Sequence, residues 1–279
     1  GDIGAVAKLQ HTETGDTLCT RDNIVKFDEY VFPEPAISLA IEAEKEGEED
    51  RVMIGLNRLT EEDPTFSIIQ DAEIGQTLIA GVGELHLEVL ANKVKSKFGS
   101  GLTFKEPRLP YRETIRKPVK AEGRHRKQTG GHGQFGHIWV DFEPIGDVDI
   151  PFEFVDKIVG GVVPRQYIPA VEKGLEECLK KGVLAGYPMV GIRATLYDGS
   201  YHSVDSSEMA FRAAATLAYR QLIEGDPILL EPILKAEVVV PDEYMGDIIG
   251  DLNRRRGRIL GMEPIGGGLQ KIEAEVPQA

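Results

Sequence analysis

At 279 residues and 41% apolar content, the chain is long enough for two or three ordinary globular domains. Its formal net charge of −14 excludes nucleic-acid binding through overall charge, and two distant cysteines, Cys19 and Cys178, exclude a disulfide framework or a CxxC metal site. No apolar run approaches the ~18 residues that a membrane span needs.

The high glycine count (31) and few aromatics (7%) favour several small, turn-rich domains over one large core. Proline pairs at Pro33 and Pro35, Pro107 and Pro110, and Pro227 and Pro232 separate periodic segments and mark three joints. Four pieces result, at 1–28, 29–108, 109–228 and 229–279.

Piece 1–28 has short apolar runs and turn signals such as Thr14-Gly15-Asp16, without a helical pattern. It is too small to bury a core alone and reads as the tail end of a β-domain. Piece 29–108 alternates Ile37, Leu39 and Ile41, then places Val52, Leu56 and Leu59 at helical spacing. Phe66 and Ile68 alternate, Leu78 to Val82 runs apolar, Leu87, Leu90, Val94 and Phe98 form a second helix face, and Leu102 to Phe104 closes the piece. This β-α-β-β-α-β order predicts a ferredoxin-like domain.

Piece 109–228 opens with an extended segment and a glycine-rich tip, followed by a strand at 134–142. A helix over 165–181 places Ile168, Val171, Leu175 and Leu179 on one side. A strand over 190–197 and an alanine-rich helix from Ser206 follow, with Asp205 and Glu208 spaced as a capping box. In piece 229–279, Leu234, Ala236, Val238 and Val240 alternate, and a helix carries Met245, Ile248, Ile249 and Leu252. Gly257 is placed to end that helix, and strands at 258–263 and 269–276 follow. The β-α-β-β order predicts a ferredoxin-like unit short of its second helix and fourth strand.

Charge is uneven along the chain. From Arg112 to Trp139 seven Lys/Arg face two acids, a local +5 that leaves −19 elsewhere. Within this stretch, GRHRKQTGGHGQFG (123–136) contains Gly131-x-Gly133-x-x-Gly136. The dinucleotide fingerprint that this spacing matches needs a helix directly after the glycines, whereas Phe135 to Phe142 alternates as a strand. The glycines therefore belong to a hairpin tip. Two readings stay open on residue types alone: a solvated basic turn, or a tip whose backbone approaches RNA, with Gln128, Thr129, His132 and Gln134 as neutral donors and Arg124, Arg126 and Lys127 toward phosphates.

In the loop GSYHSVDSS (199–207), His202 lacks a neighbouring Cys or a partner at metal spacing, so no metal is assigned; Asp205 reads as a helix cap. The run Asn253 to Arg258 holds four arginines in six residues. Helix-dipole complementarity explains some of them, and an RNA or acidic-protein contact is favoured for Arg254, Arg255 and Arg256. His86 opens a helix and reads as structural or interdomain rather than catalytic.

At these residues the sequence resembles bacterial-type elongation factor G. The similarity runs through FPEPAIS (32–38), GVGELHLEVL (81–90), PYRETI (110–115), KQTGGHGQFGH (127–137), YIPAVEKG (167–174), GSYHSVDSSEMAF (199–211) and YMGDIIGDLNRRRGRILGMEP (244–264), in family order. The resemblance implies an α+β multidomain chain. Its parts would be the end of β-barrel domain II, ferredoxin-like domain III, a domain IV like domain 2 of ribosomal protein S5, and an incomplete ferredoxin-like domain V. It implies a cytoplasmic, monomeric, ribosome-binding part of a translocation-promoting GTPase. Thr129, Gly130, Gly131, His132, Gly133 and Gln134 would form the first decoding-site tip loop. His202 would lie in the second, where archaeal and eukaryotic counterparts carry a modified histidine. Arg254 to Arg256 would face large-subunit RNA near the factor-binding centre.

No GxxxxGK[ST] phosphate loop occurs in the sequence. The chain itself is thus expected to be no enzyme and to hold no cofactor, with GTP and magnesium belonging to a GTPase domain of a longer parent. The family usually has Ser and Arg where this chain has Thr129 and His132, which allows a divergent paralogue such as a recycling factor. A tetracycline-resistance ribosome protection protein fits the glycine-rich loop less well. A free-standing enzyme using the GxGxxG loop is the competing reading from another class.

Overall fold

The computed structural model describes residues 1–128, 131 and 133–279. The chain divides into two units, Gly1–Arg108 and Leu109–Ala279, which are taken separately.

In the first unit, β1 (Ile37–Ala43), α1 (Glu49–Glu62), β2 (Ser67–Asp71), β3 (Gln76–Gly81), α2 (Glu84–Phe98) and β4 (Leu102–Lys105) follow the expected order. The antiparallel sheet runs β2-β3-β1-β4, the ferredoxin-like arrangement. The apolar positions spaced for helices are the core: Val52, Leu56 and Leu59 of α1 meet Leu87, Leu90 and Val94 of α2 over Ile79. Gly99 ends α2 in the left-handed region at φ 74°, and its N–H returns to Lys95 O. His86 is a structural residue. Its Nδ1 accepts from Val82 N at 3.3 Å and its Nε2 reaches Asp63 Oδ2 at 3.1 Å, tying the end of α1 to the start of α2.

Residues 1–28, expected as the end of a β-barrel domain, form no strand among the described residues beyond the single bridge Thr20–Asn23, and the first strand begins only at Ile37. Ile3, Ile24, Phe27 and Val31 stay exposed. A segment this short encloses no core of its own.

The second unit begins with β5 (Arg112–Ile115), β6 (Val119–Lys127), β7 (Gln134–Pro144) and β8 (Phe152–Asp156). Then come α3 (Ile168–Leu179), β9 (Ile192–Ser200), α4 (Glu208–Tyr219) and β10 (Pro227–Leu230). Strands β6-β7-β9-β8 form one sheet, in which β8 and β9 are parallel across the α3 connection. Helices α3 and α4 cover one face, closing on Ile138, Val140, Phe142, Leu175, Leu196 and Phe211. The helix expected over 165–181 starts as a 3₁₀ turn at Arg165–Tyr167.

Glu113 is buried and forms no ion pair among the described residues, a feature invisible in the sequence. Its carboxylate accepts the backbone N–H groups of Leu184, Ala185 and Tyr187 at 2.8, 2.8 and 3.0 Å. It thereby shapes the 182–188 loop that leads into β9. Nearby, burial pushes the Tyr219 phenol well above its ordinary value, with the Cys178 and Glu113 charges adding to the effect. The Tyr219 hydroxyl donates to Lys181 O at 3.0 Å.

The last elements are β11 (Ile233–Pro241), α5 (Met245–Arg254), β12 (Arg258–Gly266) and β13 (Leu269–Pro277). The sheet order is β11-β13-β12, and α5 packs Leu252 against Ile272 and Ala274. Gly257 does not provide the left-handed residue that ends α5; Arg256 does, at φ 62°. Gly257 N donates to Leu252 O at 2.7 Å and Arg256 N to Asn253 O at 3.1 Å, a Schellman pattern centred on a non-glycine. Gly257 is required for another reason: a Cβ there would lie 2.8 Å from both Leu252 O and Val276 Cγ1.

Candidate nucleic-acid interface

The hairpin β6–β7 pairs as far as Lys127 opposite Gln134, and a strand, not a helix, follows the glycines. That removes the helix that a dinucleotide site of this spacing requires. Of the proposed loop residues, Thr129, Gly130 and His132 lie outside the described residues.

The three glycines of the motif have different surroundings. Gly131, at φ 111°, would have open space around a Cβ. A Cβ on Gly133 would lie 2.8 Å from Asp205 Oδ2. Gly136 faces the first turn of α4, where a Cβ would come within 2.5 Å of Ala210 O; Gly123 across the hairpin stands against Ala214 O in the same way. Gly136 and Gly123 therefore seat a helix on the sheet instead of facing a ligand.

The two loops expected to form a tip are joined to each other. Gly133 N donates to Asp205 Oδ1 at 3.0 Å, and Phe135 N donates to Asp205 O at 2.8 Å. Ser206 Oγ donates to Phe135 O at 2.9 Å and accepts from His202 N at 2.9 Å. Asp205 is therefore a clamp between loops and not the cap of α4. The cap is Ser207, whose side chain accepts from Ala210 N at 3.2 Å. The sequence carried a trace of this: Asp205 and two serines follow His202 at a loop, a set with more acceptors than one helix start uses.

His202 is exposed, and its ring orientation is fixed by the backbone. Nδ1 accepts from Val204 N at 3.3 Å and from Asp205 N at 3.1 Å. Asp205 Oδ2 also lies 3.4 Å from Nδ1. The two amide hydrogens aim at Nδ1, so that nitrogen is an acceptor and the carboxylate contact is not a hydrogen bond. The ring hydrogen then sits on Nε2. Gln134 is held behind the turn, with Oε1 2.9 Å from His125 Nε2.

Arg124, Arg126 and Lys127 are exposed along β6, and none forms an ion pair among the described residues. The arginines after α5 behave differently. Arg256 makes a two-pronged pair with Glu231 at 2.6 and 2.9 Å, which holds the Glu231 carboxyl below its usual range. Arg255 pairs with Asp251 at 2.7 Å and Arg258 with Glu275 at 2.7 Å. Arg254 is exposed and forms no ion pair among the described residues. The run thus divides into arginines engaged within the fold and one whose charge is open to a partner.

Among the described residues there is no group of three metal-ligating side chains and no helix long and apolar enough to cross a membrane.

Three family models match the chain in order: elongation factor G domain III over residues 32–106, domain IV over 107–225, and the elongation factor G C-terminus over 228–279. A crystal structure of a protein from Thermus thermophilus matches with a TM-score of 0.80 at 43% identity. The match covers 89% of this chain and 37% of that one, so the chain spans little over a third of the solved protein's length. The chain belongs to the elongation factor G family, of which it carries domain III, domain IV and the C-terminal domain.

Proposed function

We propose that the chain is the ribosome-binding part of an elongation factor G-type protein, and that the clamped loops of its domain IV enter the decoding site as transfer RNA and messenger RNA move. The observation that carries this reading is the joining of the two loops through Asp205. Two segments some seventy residues apart become one preorganised surface, which lowers the ordering cost of pressing it on RNA. Gln128 and His202 Nε2–H offer hydrogen bonds, while Arg124, Arg126 and Lys127 meet phosphates. Arg254 would face large-subunit RNA.

The work of such a chain is mechanical. Contacts that form only in the shifted ribosome bias it toward that state, and GTP hydrolysis would lie in a separate domain of the parent. Thr129 and His132, where the family usually has Ser and Arg, favour recycling as the second reading, because loss of a permanent cation weakens phosphate contact.

Co-sedimentation of this chain with vacant ribosomes tests the proposal. Binding should weaken steeply between about 50 and 200 mM salt and be displaced by elongation factor G. His202→Ala should lower affinity and remove decoding-site protection from chemical probing. Binding that protects other RNA and ignores His202→Ala would overturn the assignment.

A further inference from the structure

We propose that the open face of the domain IV sheet, running from His202 through Phe135 and His137 to Trp139, is a stacking platform for unpaired RNA nucleotides. It deepens the tip reading above, since it supposes RNA already brought to that end of the domain. Helices α3 and α4 occupy the other face of the sheet. Along β7 the side chains alternate: Gly136, Ile138, Val140 and Phe142 are buried under the helices, while Phe135, His137 and Trp139 stand partly exposed on the opposite side.

Consecutive exposed rings on β7 are two residues, about 6.8 Å, apart. The Phe135 and His202 ring centroids are 6.5 Å apart, and those of His137 and Trp139 6.4 Å. The His137 ring is pinned across three strands, with Nε2 2.9 Å from Glu122 Oε1 on β6 and Nδ1 2.8 Å from Ser200 Oγ on β9. A ring fixed in this way loses little further freedom when a base stacks on it.

Cations line the same rungs. Arg126 lies opposite Phe135 and Arg124 opposite His137, both exposed. At the Trp139 rung the face turns acidic, with Glu122 and Asp198 opposite that residue on either side and Asp141 next on the same side of β7, so the platform ends there and takes two or three nucleotides. A row of rings beside phosphate-spaced guanidiniums fits single-stranded RNA: stacking tolerates any base, and duplex bases are not available to stack. An acidic polypeptide would use the arginines but not the rings.

Trp139 is the only tryptophan, so its emission reports the platform directly. Titration of the intact chain with a short oligouridylate or oligoadenylate should quench it saturably, and the same strands annealed as a duplex should not. Phe135→Leu should weaken binding about tenfold at every salt concentration. The pair Arg124→Gln and Arg126→Gln, at exposed positions that leave the fold intact, should weaken binding and reduce the salt slope by about 1.4. The platform is overturned by no quenching, by equal quenching with duplex, by affinity unchanged in both variants, or by poly-glutamate competing as well as RNA. Ribosome co-sedimentation run alongside separates the two readings. Pelleting with no Trp139 response to single strands sinks the platform alone, whereas a response without pelleting supports the platform and sinks the tip assignment.

Discussion

Replacing Gly136 or Gly123 by alanine would strike the support of the tip without touching any group proposed to meet RNA. A Cβ at Gly136 would lie 2.5 Å from Ala210 O, 2.7 Å from Ala210 C and 2.9 Å from Phe211 N; at Gly123 it would lie 2.0 Å from Ala214 O. Ordinary contact begins at 3.4 Å, and the obstructing atoms are helix backbone, which no rotamer change can move. Helix α4 would have to retreat by roughly an ångström in a close-packed interior. Overpacking of this kind costs about 2–3 kcal/mol, with Gly123→Ala the more severe. The same retreat draws Asp205 and Ser206, just ahead of α4, away from Gly133 and Phe135 and loosens the clamp. Urea unfolding followed by Trp139 emission should show the midpoint falling by about 1 M, because the slope for a domain of this size is ~1–3 kcal/mol per molar. Ribosome affinity should fall in the same variants. Midpoints unchanged in both, or a larger loss from Gly136→Ala than from Gly123→Ala, would refute the seating argument.

Glu113→Ala leaves three backbone N–H groups without their acceptor and should cost about 3–5 kcal/mol, with Glu113→Gln losing less because one oxygen remains; equal losses would show that the charge-assisted bonds are not the cause. Burial acts to raise the Asp63 carboxyl, but hydrogen bonds from Thr65 and His86 outweigh it and hold it below its ordinary value. Its stabilisation is therefore present above about pH 3.9, the unfolded value, and lost as pH falls through the lower folded value. Asp63→Asn should destabilise the first unit by about 1–2 kcal/mol at neutral pH, with the gap to the parent closing on acidification when unfolding is followed by circular dichroism. Arg254→Ala should leave thermal unfolding unchanged and weaken ribosome binding more at low salt than at high. Arg256→Ala should lower the melting temperature, and Arg256→Gly should recover the part due to its left-handed backbone.

What the sequence determined by itself is what local periodicity can carry. Spacing of 3.6 marked the α1 and α2 faces that bury Leu56, Leu59, Leu87 and Leu90, and spacing of two marked β7 as a strand, which disposed of the dinucleotide reading of Gly131, Gly133 and Gly136. Periodicity says which side of an element is buried, never what buries it. Tertiary structure alone decided that Gly136 seats a helix while Gly131 faces open space, and that Asp205 clamps Gly133 from seventy-two residues away instead of capping α4. It likewise decided that Glu113 holds three amides of a distant loop and that Arg256 turns back onto Glu231. Each of these depends on a hydrogen-bond partner or a close contact brought in by the fold. A polar side chain in a loop looks the same in sequence whether its partner is water, RNA or the far end of its own chain.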